Sequence, residues 1–228
     1  MLVEKRSDIG YSVHLTVYRR SQLKWQDYFE DIVNETYFHQ FKRQAETLGV
    51  TVLRAENQED AAGMINDQIN GLGIRSIAAV PLKLLGEHVT TVGKYAAEKG
   101  VDFTMALDRQ KIEFAQMGVS EFEMGIAQLG TIFQDASDLH TRLVSMLPPV
   151  HLVLLPANAL VKSFADALTL IHEVYGAMVP PYLTFVTGPS KTADIERQLT
   201  IGVHGPAKLI IICIEGCYGN KDRDADKS

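Results

Sequence analysis

The sequence predicts one α/β domain built on a mostly parallel sheet, with a helical lead ahead of it. Three observations carry this. From residue 49 onward, short apolar runs of strand length alternate with stretches whose apolar residues recur every three or four positions. The last run, AKLIIICIE at 207–215, is continuously apolar, which suits a strand covered on both faces. The chain has 228 residues, 46% of them apolar. A chain of that size can bury roughly 70% of its unfolded surface, so it needs no disulfide or metal staple.

Taken in order, Ser12, His14, Thr16 and Tyr18 alternate with Val13, Leu15 and Val17, which fits a strand or an ordered arm. Trp25, Tyr28, Phe29 and Ile32 lie at i, i+3, i+4 and i+7, one face of a helix running from Lys24 to Leu48 and stopped by Gly49. GVTVLRA at 49–55 is a strand and Glu56 to Ile69 a helix. SIAAVP at 76–81 is a strand, Leu84 to Lys99 a helix closed by Gly100, and VDFTMAL at 101–107 a strand. This β-α-β-α-β rhythm calls for parallel strands with crossover helices on both faces. In the second half, Ser120 and Glu123 match a capping box, predicting a short helix over Glu121 to Ala127. GTIFQDA at 130–136 and VHLVLLP at 150–156 are strands, and RLVSMLPP at 142–149 reads as extended. Leu160, Phe164, Leu168, Ile171 and Tyr175 stripe a helix, YLTFVTG at 182–188 is a strand, and Ser190 to Leu199 a short helix. Residues 1–48 thus form an arm and helix, 49–216 the α/β domain, and 217–228 a charged tail that reads as disordered.

Composition narrows the function. Twenty-two Lys and Arg face 28 Asp and Glu, a net charge of −6 without a basic block, which argues against nucleic acid or an anionic membrane surface as partner. The two cysteines, Cys213 and Cys217, are too few for a disulfide framework, an iron–sulfur cluster or a cysteine zinc site, so no metal and no intrinsic cofactor is expected. Low cysteine usage and the lack of a signal-like or membrane-length apolar run point to the cytoplasm.

The most informative stretch is 184–206, in which a strand runs into Gly188-Pro189-Ser190-Lys191-Thr192 and then the expected helix. Unpaired N–H groups at a helix start, two hydroxyls and a lysine form an anion cradle at a strand end. An ordinary helix cap explains the same residues as well. Asp194 is placed to hold Lys191 or a substrate hydroxyl, and His204, in a Gly-Pro turn, titrates near neutral pH if it faces a cleft. Gln128, Gly130 and Thr131 form a second turn, where Gly130 leaves room for a ligand or another strand and Gln128 offers donors and an acceptor. Arg142 is a candidate for bidentate pairing with a carboxylate or phosphate. The Trp25, Tyr28, Phe29, Tyr37, Phe38 cluster is core or, second, a subunit interface, so a homo-oligomer is compatible with the sequence.

GPSKTADIERQLTIGVHGP, together with IAQLGTI and RLVSMLPPVHLVLL, resembles the LUD domain of the lactate-utilisation protein C (LutC, YkgG-like) family, over roughly residues 45 to 215. The resemblance implies a three-layer α/β/α fold shared with ribose-phosphate isomerase, glucosamine-phosphate deaminase and CoA-transferase relatives. It also implies a part in bacterial oxidation of L-lactate to pyruvate beside iron–sulfur partner proteins, which hold the clusters; the small anionic ligand is the expectation drawn from the Gly188–Thr192 and Gln128–Thr131 turns. The family often carries an acidic residue where this chain has Gln128, and an amide cannot serve as the acyl-forming nucleophile of CoA-transferases. The alternatives are a free-standing enzyme on phosphorylated, folate or CoA-linked small molecules, and an assembly module without chemistry.

Overall fold

The computed structural model describes residues 25–193, 199–201 and 205–217, with 191–193 and 199–201 described as backbone. The alternating segment 12–18, Asp194, His204 and the tail beyond Cys217 lie outside the described residues.

The lead ahead of residue 49 is two pieces rather than one helix. Trp25–Tyr28 is a single 3-10 turn, and helix α1 spans Glu35–Thr47. Asn34 accepts the Tyr37 N–H at 3.1 Å and so starts a helix of its own. The aromatic stripe therefore splits: Trp25 is buried against Phe133 and Tyr175, with ring centroids 5.6 and 5.7 Å away, while Ile32 is 79% exposed. Helix α1 buries Phe38, Phe41 and Ala45 and ends at Gly49, whose φ of 89° only glycine adopts freely.

The β-α-β-α-β rhythm stands where the sequence puts it. Strand β1 is Thr51–Ala55, α2 Gln58–Gly71, β2 Ser76–Ala79, α3 Val89–Glu98 and β3 Asp102–Thr104. The helix expected from Leu84 is interrupted: Lys83–His88 is 3-10 and turns sharply at Gly86, with φ 54°. Helix α4, Arg109–Glu113, leads into β4, Met117–Glu121.

Three expectations are corrected. Glu121 to Ala127 is not helical; β4 runs into β5, Met124–Ile126, because β4 pairs with strands on both sides and β5 pairs with β6, Thr131–Asp135. Pairing across the fold overrides the local capping pattern. The segment after Asp138 is helix α5, Leu139–Met146, capped by Asp138 on the Thr141 N–H. It buries Val144, while exposed Leu139 and Met146 make the sequence look like an apolar run. Finally, Lys191–Ala193 and Leu199–Ile201 are strands β10 and β11, paired antiparallel, so no helix follows Ser190. The remaining elements are β7 (Val150–Pro156), β8 (Leu160–Val161), α6 (Phe164–Tyr175), β9 (Leu183–Val186) and β12 (Lys208–Ile214).

The main sheet is six-stranded and parallel throughout, in the order β1-β12-β7-β4-β2-β3. Alternate residues of its strands feed two cores. Ile210, Ile212, Leu152 and Leu154 pack with Ile65 of α2 and Val92 of α3. Ile211, Cys213, Val153 and Leu155 pack with Phe38 and Phe41 of α1 and with Ile132 of a second, four-stranded sheet, β8-β5-β6-β9. Helix α6 and Trp25 close the outer face of that small sheet. Helix α5 lies on the same side as α1: a side chain at Gly118 would collide with the Val144 carbonyl, so glycine is what lets helix and strand touch there.

The connections divide accordingly. Strand β2 is followed by α3 on one face, and β4 by the small sheet and α5 on the other. The carboxyl ends of β2 and β4 therefore flank a topological switch point, where open α/β sheets leave a crevice.

Candidate functional site

The structure brings the two sequence-singled turns together. Strand β9 pairs antiparallel with β6, so the turn 128–131 stands beside 187–190, and the Thr131 and Thr187 hydroxyl oxygens are 2.7 Å apart. Gln128 is exposed at the tip of this pair, while Pro189 and Ser190 are partly buried beside Gly188.

The described surroundings of these turns are the end of α1 and the Pro206 turn. Gly188, with φ 85°, faces the end of α1, where an added Cβ would lie 3.4 Å from the Leu48 carbonyl oxygen. A helix C-terminus carries partial negative charge. The Ser190 N–H donates to the Pro206 carbonyl at 2.9 Å. Gly130 has no side chain because the α1 backbone occupies the space: a Cβ there would stand 2.4 Å from the Ala45 nitrogen. These turns abut Gly49 and Pro206, just ahead of β1 and β12, at the amino end of the main sheet. Lys191 and Thr192 lie in the backbone of β10. Arg142 is elsewhere: its guanidinium donates to the Ala136 and Ser137 carbonyls and lies over the Tyr182 ring at 4.4 Å, pinning the β6–α5 turn.

The opposite, carboxyl end of the sheet holds a group that the motifs did not reveal. Along β4 the Val119 carbonyl accepts the Val80 N–H at 3.1 Å, the last rung to the β2 side. Pro81 then turns the chain away, and the Glu121 carbonyl, two residues on, faces that same side without a strand partner. The Gln134 amide nitrogen, reaching over from β6, donates to it at 2.7 Å. Only the NH₂ of a carboxamide can face a carbonyl, so the other end is fixed as the oxygen. Gln134 is 2% exposed, and its Oε1 has no hydrogen-bond partner among the described residues.

Glu121 itself points toward the loop after β2. One carboxyl oxygen accepts the Leu84 N–H at 2.6 Å, and the residue is half-buried. Burial pushes its pKa up to about 7; the Leu84 hydrogen bond and the nearby Lys83 charge oppose the rise. Glu123 stands next along the turn. Its carboxyl accepts the Asp135 N–H at 3.2 Å, and burial, reinforced by the Asp135 charge, pushes it up to about 8. Tyr175 completes the cluster, its hydroxyl 3.4 Å from Asp135. Cys217 borders it: the thiol donates to the Leu84 carbonyl at 3.6 Å, and burial with the Glu121 charge raises it to about 12, so it stays protonated. A carboxyl near neutrality at a switch point can give and take a proton at physiological pH.

Two other features carry less. Ser120 and His151 are 2.7 Å apart, but both are buried under Phe122, and burial lowers the histidine to about 3, a neutral core pair. The shallow grooves along α1 (His39, Lys42, Arg43) and beside α6 (Tyr28, Tyr37, Lys162) contain none of the buried acids. Among the described residues, no group of three or more His, Cys, Asp or Glu side chains is placed to hold a metal ion.

A family model described as the LUD domain matches residues 38–214. The chain belongs to the LUD domain family. Among curated relatives it is 35% identical over 114 residues to Lactate utilization protein C of Geobacillus thermodenitrificans, covering 48% of each chain. It is 33% identical to Lactate utilization protein C of Bacillus subtilis, over 55% of this chain and 51% of that protein. An uncharacterized protein of Neisseria meningitidis is 31% identical over 66% of each. The chain thus spans about half the length of the named relatives it matches. A crystal structure of a DUF162 family protein from Deinococcus radiodurans aligns with a TM-score of 0.56 at 21% identity, over 80% of this chain and 99% of that one, and shares the fold. No helix among the described residues is long and apolar enough to cross a membrane.

Proposed function

We propose that this LUD-domain protein takes part in the oxidation of L-lactate to pyruvate, binding a small ligand and acting beside iron–sulfur partner proteins. The observation that carries the reading is the 33–35% identity, over about half of this chain, to proteins named for lactate utilisation. The reaction removes two electrons and two protons from the substrate. In this reading the electrons pass to the partners, since two cysteines are too few for an iron–sulfur cluster held by cysteines alone. The domain supplies ligand binding and, at Glu121, a group able to hold a proton near neutral pH.

Deleting the gene in its source organism is expected to abolish growth on L-lactate and leave growth on glucose intact. A tagged copy is expected to capture cysteine-rich redox proteins from lactate-grown cells. Normal growth of the deletion strain on L-lactate overturns the pathway reading. Capture without such proteins overturns the partner claim.

A further inference from the structure

The buried Gln134 Oε1 is the observation from which a ligand class follows. A carbonyl acceptor buried without a donor is costly, and buried polar groups nearly always have a partner. The carboxamide is held by its nitrogen on the Glu121 carbonyl, so Oε1 lies beside the carboxyl end of β4, next to the switch point. It accepts and cannot donate, so the missing partner brings a hydroxyl or N–H. At the rim, Lys83 is exposed and close enough to Glu121 to act on its charge, a cation placed for an anionic group.

We infer that the crevice above the carboxyl ends of β2 and β4 binds a small hydroxy acid, its hydroxyl donating to Gln134 Oε1 and its carboxylate paired with Lys83. The choice of a hydroxy acid as probe rests on the lactate reading; the demand for a donor and an anion does not.

Titration calorimetry of the full chain with four matched probes tests this. L-lactate carries both groups, propionate and pyruvate lack the hydroxyl, and 1,2-propanediol lacks the carboxylate. L-lactate is expected to bind about tenfold more tightly than the other three, as loss of one buried hydrogen bond or one ion pair implies. Gln134→Met is expected to erase the preference for L-lactate over propionate. Lys83→Ala is expected to weaken both carboxylates alike. Should Gln134→Met fail to fold, the probe preference of the unaltered chain decides. Equal binding of L-lactate and propionate, or no heat with any probe, overturns the inference. If no probe binds while the deletion strain fails on L-lactate, this site falls and the pathway reading stands. If L-lactate binds while the deletion strain grows normally, the reverse holds.

Discussion

Replacing Gly130 by alanine is expected to cost about 3–5 kcal/mol of folding stability, through packing rather than through a lost ligand. Gly130 has φ 62°, a conformation that costs a residue with a Cβ roughly 1–2 kcal/mol. The added methyl would also stand 2.4 Å from the Ala45 nitrogen and 2.7 Å from its Cα, both backbone atoms in the last turn of α1. They cannot swing aside as a side chain can. Either α1 moves off the small sheet, disturbing Phe41 and Ala45 in the core, or the turn opens and loses the Thr131–Thr187 contact. For a chain of this size the melting temperature should drop by roughly 10 °C. Gly63 in α2 is the control, since nothing lies within 4 Å of a Cβ there. Gly63→Ala should be neutral or stabilise by up to about 1 kcal/mol. Scanning calorimetry of the two variants measures the difference, and a Gly130→Ala protein that melts with the unaltered chain refutes the packing account.

Glu123→Gln is expected to stabilise the protein at pH 8 by on the order of 2–4 kcal/mol and to leave it little changed at pH 4.5. Burial pushes the folded carboxyl up to about 8, from an ordinary value of 4.5. Below pH 4.5 the group is protonated in both states and contributes nothing to pH dependence. As pH rises from 4.5 to 8 the unfolded chain ionises while the folded one resists, so stability falls. Above 8 both are charged and the penalty is constant. Glutamine mimics the protonated acid: its carbonyl oxygen still accepts the Asp135 N–H, and its NH₂ replaces the O–H. Glu123 keeps some solvent contact, so the effect is set below the full value the shift implies. Glu121, raised to about 7, adds a slope of the same sign that survives in the variant. Urea denaturation of both proteins between pH 4.5 and 8.5 reads this directly. Parallel stability curves would contradict it.

The main sheet was legible in the sequence because its strands advertise themselves locally. AKLIIICIE and VHLVLLP are apolar throughout since both faces are covered, and Gly49 and Gly100 mark helix ends at positive φ. What failed were segments whose conformation is set from afar. Ser120 and Glu123 imitate a capping box, but Ser120 pairs with Val153 and Glu123 turns to Asp135. The working capping box is Ser163 with Asp166. The 190–199 segment is short enough that neither period decides between helix and hairpin. Of the proposed site residues, the sequence marked the turns Gln128–Thr131 and Gly188–Ser190 one by one, but neither their adjacency nor the reason for their glycines, which is contact with α1. The acid group was hidden because Gln134 reaches Glu121 across two sheets, a contact no spacing displays. A signal did exist: GVSEFEMGI carries two carboxylates in an otherwise apolar run, and each needs a partner or a task once buried.

In the proposed function the working end of this domain is the carboxyl end of the main sheet, at Glu121. The most direct measurement is growth on L-lactate of a deletion strain carrying Glu121→Gln, with the variant's expression and melting temperature checked against the unaltered protein. The amide keeps an oxygen for the Leu84 N–H but cannot exchange a proton near neutral pH. The expected result is a folded protein that restores less than a tenth of the growth rate on L-lactate. Full restoration by folded Glu121→Gln would contradict the claim.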